Sequence, residues 1–334
     1  MNIMTPTTHP PAASVSYPVT AKPSFLRRHL VIVILISFLS LSVLSVLTFH
    51  GYIAWVLTRP VIAPLVSNPL AAIETPYEDV TFAAAGGGSM LEGWYIPAAS
   101  PSAQTVVFSH GYGGNREEIW VPIYDLAAEL HRQQFNVFMF DYGYVKPERV
   151  VTAGIQETND LLGAIDYVKA RGAEDVFVWG FSMGAGIALQ AALQYTDIQA
   201  MVLDSTFLLE PDTLYRNLTN YIQLPRNPSL SLVGMFFPVM SGGASLSQIP
   251  AAAVKSAKFS MPLFLIHGKE DEKAPYSLAE TIFKNQSSET KLWLDPDGTH
   301  ELIYRAHKKQ YLSRTIAFLK AHSTSAASPA ETAL

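Results

Sequence analysis

One stretch of the sequence decides the fold: residues 176–192 read VFVWGFSMGAGIALQAA. The apolar run Val176 to Trp179 is typical of a strand buried on both faces of a sheet, and the small residues from Ala185 to Ala192 favour a helix. The pentapeptide between them fits the pattern GxSxG, a sharp strand-to-helix turn that lifts a serine above the sheet. Glycines flank the serine because a side chain there would collide with the neighbouring strand or helix. The stretch predicts Ser182 as a nucleophile, with an incidental turn serine as the alternative.

The rest of the chain alternates short apolar runs with helical patterns. Further strand candidates are Thr105–Ser109, Asn136–Phe140, Ala200–Leu203, Leu263–Ile266 and Leu292–Leu294. Helical candidates are Glu117–Arg132, Gly154–Arg171, Met183–Tyr195, Tyr276–Asn285 and Glu301–Ala321. Such alternation predicts an α/β fold, with a mainly parallel sheet covered by helices on both faces. Before it, Tyr77–Ala84 and Met90–Ile96 predict an antiparallel hairpin.

Residues 207–257 interrupt this alternation. They separate two strand candidates by about fifty residues, which is far longer than an ordinary loop, so we expect an inserted cap with structure of its own above Ser182. Its apolar stretch from Leu230 to Met240 contains Met235, Phe236 and Phe237. This stretch fits an acyl pocket, contact with a bilayer, or ordinary packing of cap against core.

The amino-terminal part divides into a tail, an anchor and a linker. Residues 1–24 are rich in Pro, Thr, Ser and Ala and predict a disordered cytoplasmic tail. Residues 25–58 predict a transmembrane anchor, because twenty uncharged residues from Leu30 to Phe49 match the thickness of a bilayer core. A cleaved signal peptide is the competing interpretation. We expect residues 59–76 to form an extended linker and residues 77–321 to form the main domain. Residues 322–334 are expected to form a second disordered tail.

Charge around the apolar run predicts the orientation of the chain. Lys22, Arg27 and Arg28 precede the run, whereas only Arg59 follows it before Arg116. Because positive residues stay on the cytoplasmic side, we expect a single-pass protein with its amino terminus in the cytoplasm and the large domain outside. The net charge of −5 offers no basic surface for phosphates, so nucleic acid is excluded as a partner. The sequence favours no particular oligomeric state.

A serine nucleophile needs a histidine as base and a carboxylate that orients the histidine. Asp271 lies on the loop after the strand candidate Leu263–Ile266, and His300 lies on the loop after the next one. The carboxyl ends of parallel strands share one edge, so both loops are expected to converge on Ser182. Glu270, Glu272 and Asp204 are alternative acids, and His307 and His322 are alternative bases.

The negative charge that develops during acyl transfer requires two N–H donors. Met183, directly after the nucleophile, is expected to supply one, and Tyr112 in the glycine-rich loop His110–Asn115 the other. His110 is expected to have a conformational role at the end of its strand. We expect no cofactor and no metal, because the sequence contains no GxGxxG, phosphate loop or HExxH pattern.

Five motifs carry a resemblance to a known family. HGYGGN, GFSMGAG, VLDS, HGKED and GTH occur in this order, and together they resemble bacterial α/β-hydrolases related to the bud-emergence (Bem-type) group. The resemblance covers roughly Tyr77 to Lys320 and implies an α/β-hydrolase fold with esterase or acyl-hydrolase activity. One loop departs from it: such proteins usually have an Arg-Gly-His-Gly-Ser-like sequence where this chain has Gly143-Tyr144-Val145-Lys146.

These predictions combine into one expected reaction. Ser182 attacks the carbonyl of an ester or thioester in a small or lipid-like acyl substrate, with His300 as general base and then acid, and Asp271 fixing the imidazole tautomer. Water then hydrolyses the acyl-enzyme. Two alternatives stay open: amide or peptide hydrolysis by the same residues, and a non-catalytic, membrane-tethered interaction module.

Overall fold

The computed structural model describes residues 25–324, apart from the side chain of residue 26. Within this range one eight-stranded sheet has the order β1-β2-β4-β3-β5-β6-β7-β8. Its strands are β1 (Glu78–Ala83), β2 (Met90–Ile96), β3 (Gln104–Ser109), β4 (Asn136–Phe140), β5 (Asp175–Phe181), β6 (Ala200–Asp204), β7 (Leu263–Gly268) and β8 (Lys291–Asp295). β2 pairs antiparallel with β1 and with β4, and every other pair is parallel. The predicted fold class is therefore confirmed.

Helices precede the first strand, follow the last one and fill each connection from β3 onward. They are α1 (Phe25–Thr58), α2 (Pro69–Ile73), α3 (Ile123–Arg132), α4 (Glu157–Ala170), α5 (Met183–Ala192), α6 (Pro211–Thr219), α7 (Arg226–Met240, with a break at Asn227), α8 (Ala251–Ser256), α9 (Ser277–Lys284), α10 (Ile303–Ala306) and α11 (Lys308–Ala321). The segment between β6 and β7 contains α6, α7 and α8. This segment is the cap.

Side chains of the central strands alternate between two cores. Phe177, Trp179 and Phe181 of β5 belong to one buried cluster, which also includes residues of α3 and α11. Val176 and Val178 belong to the cluster on the other face, with residues of α4 and α5. Because successive side chains of a strand point to opposite faces, a strand covered on both faces is apolar throughout.

The described residues fall into two compact units that divide between Thr48 and Phe49. In the first unit the side chains of α1 are exposed and mostly apolar. By length and composition, the helical segment Arg27–Thr58 is sufficient to cross a membrane.

In the second unit the last turns of α1 and the segment after it pack on the domain. Ala54 lies in a small apolar cluster with the cap residues Leu214 and Val233. The linker predicted for residues 59–76 is not extended throughout, because it contains α2 and is bonded to the loop after β3. The Asn115 side chain donates to the carbonyl of Ala63 at 2.8 Å, and Glu117 accepts from the amide of Val66 at 2.7 Å.

Two predicted helices differ from those observed. The helix predicted from Glu117 begins only at Ile123, because the backbone of Glu118 has a positive φ of +25° that a right-handed helix does not contain. The carboxyl groups of Glu117 and Glu118 bind the amides of Val66 and Gly111. The helix predicted for Glu301–Ala321 is interrupted at His307, where φ is −130°. There the His307 ring bonds Asp295, at 2.8 Å.

The carboxyl terminus is ordered slightly further than predicted. Ser323 and Thr324 both donate to the carboxylate of Asp175, with the Thr324 amide at 2.8 Å. The tail expected from residue 322 therefore does not include these residues, and the remainder lies outside the described residues. The tail predicted for residues 1–24 also lies outside them.

Candidate active site

Ser182 occupies the turn between β5 and α5. Its backbone has φ +50° and ψ −116°, a strained conformation for a residue with a side chain. Two glycines allow the turn: a Cβ at Gly184 would collide with the carbonyl of Ser109, and one at Gly180 would lie 2.6 Å from the Cα of Ala185. The glycines of the motif thus permit the close approach of α5 to the sheet.

The structure brings the three predicted side chains together. His300 Nε2 lies 2.8 Å from Ser182 Oγ, and His300 Nδ1 lies 2.7 Å from Asp271 Oδ2. Asp271 follows β7 and His300 follows β8, so the convergence comes from the parallel arrangement of these neighbouring strands. An ionised carboxylate only accepts hydrogen bonds, and Nδ1 must therefore carry the imidazole proton. Nε2 is then free to accept the proton of the serine hydroxyl.

Asp271 is held in the ionised form by its surroundings. Burial alone would raise the pKa of this carboxyl, but hydrogen bonds from His267 and His300 and the amide of Ala274 hold it below its usual value. Oδ1 accepts from the amides of Lys273 and Ala274, at 2.9 and 2.8 Å. His267, which was not predicted to belong to the site, contacts the same carboxylate at 3.2 Å.

The alternative acids and bases have other partners. Asp204 is fully buried and accepts from the hydroxyls of Tyr311 and Ser205, at 2.7 and 2.8 Å, and burial raises its pKa. Glu270 and Glu272 are exposed. His322 Nδ1 lies 2.8 Å from the carbonyl of Phe318. Of the candidates named from the sequence, Asp271 and His300 are the ones in contact with each other.

The two predicted N–H donors, Met183 and Tyr112, lie near Ser182 and His300. Met183 is the first residue of α5, and Tyr112 lies in the loop after β3. Within residues 25–324 neither amide donates to a protein acceptor. The Tyr112 hydroxyl donates to the carbonyl of Leu57 near the end of α1, at 3.1 Å.

A cavity of about 100 Å³ opens at Ser182 and His300. Its other lining residues are Gly111, Tyr112, Trp120, Phe207, Lys273 and Glu301. The lining includes no residue from Leu230 to Met240, so the acyl-pocket interpretation of that stretch does not hold for this cavity. Phe237 is instead buried against Ala244 and Ile249 of the cap, and Phe236 packs against Gly51.

Two buried carboxyl groups next to the cavity were not predicted from the sequence. Glu118 is 2% exposed and accepts from the amides of Gly111 and Trp120, at 2.8 and 3.2 Å. Glu301 is 5% exposed, has φ +60°, and has one carboxyl oxygen with no hydrogen-bond partner. Burial raises the pKa of both groups, and the nearby carboxyl of Glu118 raises the pKa of Glu301 further. Their spacing of 183 residues gives no local sequence signal.

Residues 25–324 contain no cluster of three or more His, Cys, Asp or Glu side chains suited to a metal ion. A larger cavity, of about 310 Å³, lies between residues 62–65 and Arg116, Asp141 and Lys146. It is not lined by Ser182 or His300. Of these two cavities, the smaller one is therefore the one that Ser182 and His300 line.

Sequence comparison finds one matching family model and several similar proteins. A family model described as the alpha/beta hydrolase fold matches residues 104–227. The chain is 28% identical over 255 residues to the uncharacterized protein YfhR of Escherichia coli (strain K12), covering 72% of this chain and 80% of that protein. It is 24% identical over 202 residues to the lysophosphatidylserine lipase ABHD12 of Mus musculus, covering 57% of this chain but only 47% of that protein.

Structure comparison gives the same fold. The esterase Pf2001 of Pyrococcus furiosus superposes with a TM-score of 0.63 at 23% identity, covering 80% of this chain and 98% of that one. A protein from Agrobacterium vitis S4 superposes with a TM-score of 0.56 at 16% identity, covering 73% of this chain and 99% of that one. The resemblance to the bud-emergence group remains a prediction from the motifs.

Proposed function

Since this chain has the α/β-hydrolase fold, we propose that it is a membrane-anchored serine hydrolase that cleaves an ester or thioester through Ser182, His300 and Asp271. The observation that carries the proposal is the pair of contacts at His300, 2.8 Å to the serine hydroxyl and 2.7 Å to the aspartate. Such distances allow proton transfer from Oγ to Nε2 without rearrangement.

The reaction has two halves. Ser182 Oγ attacks the substrate carbonyl while His300 Nε2 takes its proton, and the resulting oxyanion accepts hydrogen bonds from the amides of Met183 and Tyr112. His300 returns the proton to the leaving oxygen or sulfur, which departs as an alcohol or thiol. Water then attacks the acyl-enzyme with the same residues in the same roles, releasing the acid and restoring the serine.

The substrate class is supported by relatives and by the cavity. A lysophosphatidylserine lipase among the similar sequences points to an acyl ester with a lipid-like portion. The cavity at Ser182 equals the volume of about three water molecules. In this conformation it holds the reacting carbonyl and a short part of the substrate, and a longer chain has to extend through its opening.

Anchoring is proposed from the first helix. The exposed, apolar side chains of α1 suit a hydrocarbon environment, and the charge bias favours a cytoplasmic amino terminus. Added protease would then degrade the catalytic domain in intact spheroplasts and leave a cytoplasmic control protein whole. Protection of the domain in the same spheroplasts would contradict the proposed orientation.

A fluorophosphonate probe tests the enzymatic proposal on the full-length protein in detergent. We expect covalent labelling of the wild type and none of Ser182→Ala. Ser205→Ala is a matched control, because Ser205 also follows a central strand with positive φ but bonds Asp204 and not a histidine. A wild-type protein that does not label, or a Ser182→Ala variant that labels equally, would exclude a serine hydrolase acting through this residue.

A further inference from the structure

The carbonyl of Gly111 accepts two hydrogen bonds from buried side chains. The Tyr144 hydroxyl donates to it at 2.9 Å, and His110 Nδ1 lies 3.0 Å from it. Both side chains are almost completely buried. We call these two donors and their acceptor the Gly111 clamp.

The proton on His110 can be assigned from its neighbours. The amide of Tyr142 donates to His110 Nε2 at 3.3 Å, so this nitrogen is the acceptor of the ring. Nδ1 then carries the hydrogen and donates it to the Gly111 carbonyl. Burial lowers the pKa of His110 to about 4, which keeps the ring neutral in this tautomer near neutral pH. His110 is therefore a hydrogen-bond donor in the clamp and not a second base.

The clamp fixes the direction of the next amide. The bond between Gly111 and Tyr112 is not among the cis peptides of residues 25–324, so the Gly111 carbonyl and the Tyr112 N–H point in opposite directions from one plane. Holding the carbonyl toward Tyr144 and His110 turns the N–H away from them. The amide of Gly111 itself is held by Glu118, at 2.8 Å, so the residue before Tyr112 is fixed at both of its polar groups.

We propose that Tyr144 and His110 are positioning residues that aim the Tyr112 N–H at the oxyanion of the acyl-transfer transition state. The inference rests on the proposed function, because it assigns a task within the same reaction. Two donors on one carbonyl also polarise the peptide unit, which strengthens its N–H as a donor. Tyr144 belongs to the loop Gly143-Tyr144-Val145-Lys146, in which this chain departs from the sequences that it resembles.

Tyr144→Phe tests the clamp, since it removes one donor and leaves the ring. We expect the second-order rate of fluorophosphonate labelling to fall roughly 10-fold, less than the 10²–10³-fold lost when a direct oxyanion donor is removed. With p-nitrophenyl butyrate, kcat is expected to fall by a similar factor while KM stays unchanged, because the contact matters only in the transition state.

Tyr142→Phe is the matched control. Tyr142 is equally buried, stacks on Tyr144 with ring centroids 5.8 Å apart, and donates or accepts at Ser109 instead of Gly111. We expect its labelling rate to remain within about twofold of the wild type. Equal rates for both tyrosine variants, or a change in KM alone for Tyr144→Phe, would overturn the proposal.

A second pair of variants keeps the test decisive if Tyr144→Phe fails to fold. His110→Gln retains an N–H donor and is expected to label faster than His110→Leu, which has none. Equal labelling of the two folded variants would also overturn the clamp. Failure of the proposed function is a separate result, because it appears as an unlabelled wild type.

Discussion

At the scale of single residues, Asp271 combines burial with several hydrogen bonds to its carboxylate. Its carboxylate is buried, accepts from two backbone amides, and contacts two imidazole rings. These contacts keep the pKa of Asp271 below its usual value despite burial. The residue can therefore hold His300 in the tautomer with hydrogen on Nδ1 at any pH where the imidazole is neutral.

Asp271→Asn is expected to lower kcat by about 10⁴-fold, because an amide that donates to Nδ1 selects the wrong imidazole tautomer. The rate of fluorophosphonate labelling should fall with it, while the melting temperature shows that the protein remains folded. Glu270→Gln, at an exposed neighbouring position, serves as the control and should retain wild-type rates. A nearly active Asp271→Asn would assign the orienting role to another group.

The two buried glutamates are expected to respond differently to the same change. Glu301→Gln should alter the free energy of unfolding by less than about 1 kcal/mol, because one carboxyl oxygen of Glu301 has no hydrogen-bond partner to lose and burial already disfavours the charged form. Glu118→Gln should cost about 1–3 kcal/mol, since its two oxygens accept from two amides and a carboxamide offers one oxygen. Chemical denaturation of both variants measures the difference. A larger loss for Glu301→Gln than for Glu118→Gln would contradict this account.

At the scale of elements, the turn from β5 to α5 depends on the absence of side chains. Gly184→Ala would drive a Cβ into the carbonyl of Ser109, and backbone cannot move aside cheaply in the centre of a sheet. We expect a loss of about 2–4 kcal/mol in the free energy of unfolding, measured by thermal or chemical denaturation. Gly88→Ala is the matched control, because a Cβ there meets nothing within 4 Å and its φ is not in the left-handed region. A stable Gly184→Ala would show that α5 can shift away from β3.

The elements that the sequence predicted well are those governed by local pattern. Strands such as β4 and β5 are apolar after their first residue because helices cover both faces, and this pattern can be recognised in the sequence without knowledge of the fold. Helix ends were predicted less well where contacts outside the helix are involved. Glu118 was predicted to be helical, but it lies before α3 and its carboxyl group accepts from the amide of Gly111. His307 interrupts another predicted helix, and its ring contacts the carboxylate of Asp295.

The residues of the candidate site also fall into those that local sequence features predict and those that only the fold reveals. Ser182, Asp271 and His300 follow from a glycine turn and from loops after neighbouring strands, which are features of chain order. Tyr144 donates to the carbonyl of Gly111, and Glu301 lines the cavity together with Gly111 and Tyr112. These contacts join segments that are far apart in the chain, and no spacing in the sequence indicates them. Long-range packing is thus what sequence patterns alone could not supply.

At the scale of the whole molecule, buried carboxyl groups make stability depend on pH. Burial raises the pKa of Asp141 and of Asp160 from 3.8 to about 6, and it also raises the pKa values of Glu118, Asp204 and Glu301. Between the ordinary value and about 6, the folded protein therefore binds more protons than the unfolded chain. For Asp141 and Asp160, the stability that this binding supplies is fully present below the ordinary pKa and is lost as pH rises through about 6. Glu118, Asp204 and Glu301 contribute in the same direction.

His110 works in the opposite direction, since burial lowers its pKa from 6.5 to about 4 and its contribution is lost on acidification. One imidazole opposes five carboxyl groups, so the carboxyl groups decide the sign. We expect the free energy of unfolding to be on the order of 1–3 kcal/mol greater at about pH 5 than at about pH 7.5. Melting temperatures in one detergent at constant ionic strength measure this difference, and Asp160→Asn should reduce it because the variant cannot ionise at that position. A melting temperature that rises steadily from pH 5 to 7.5 would show that these carboxyl groups are ionised at little cost in the folded protein.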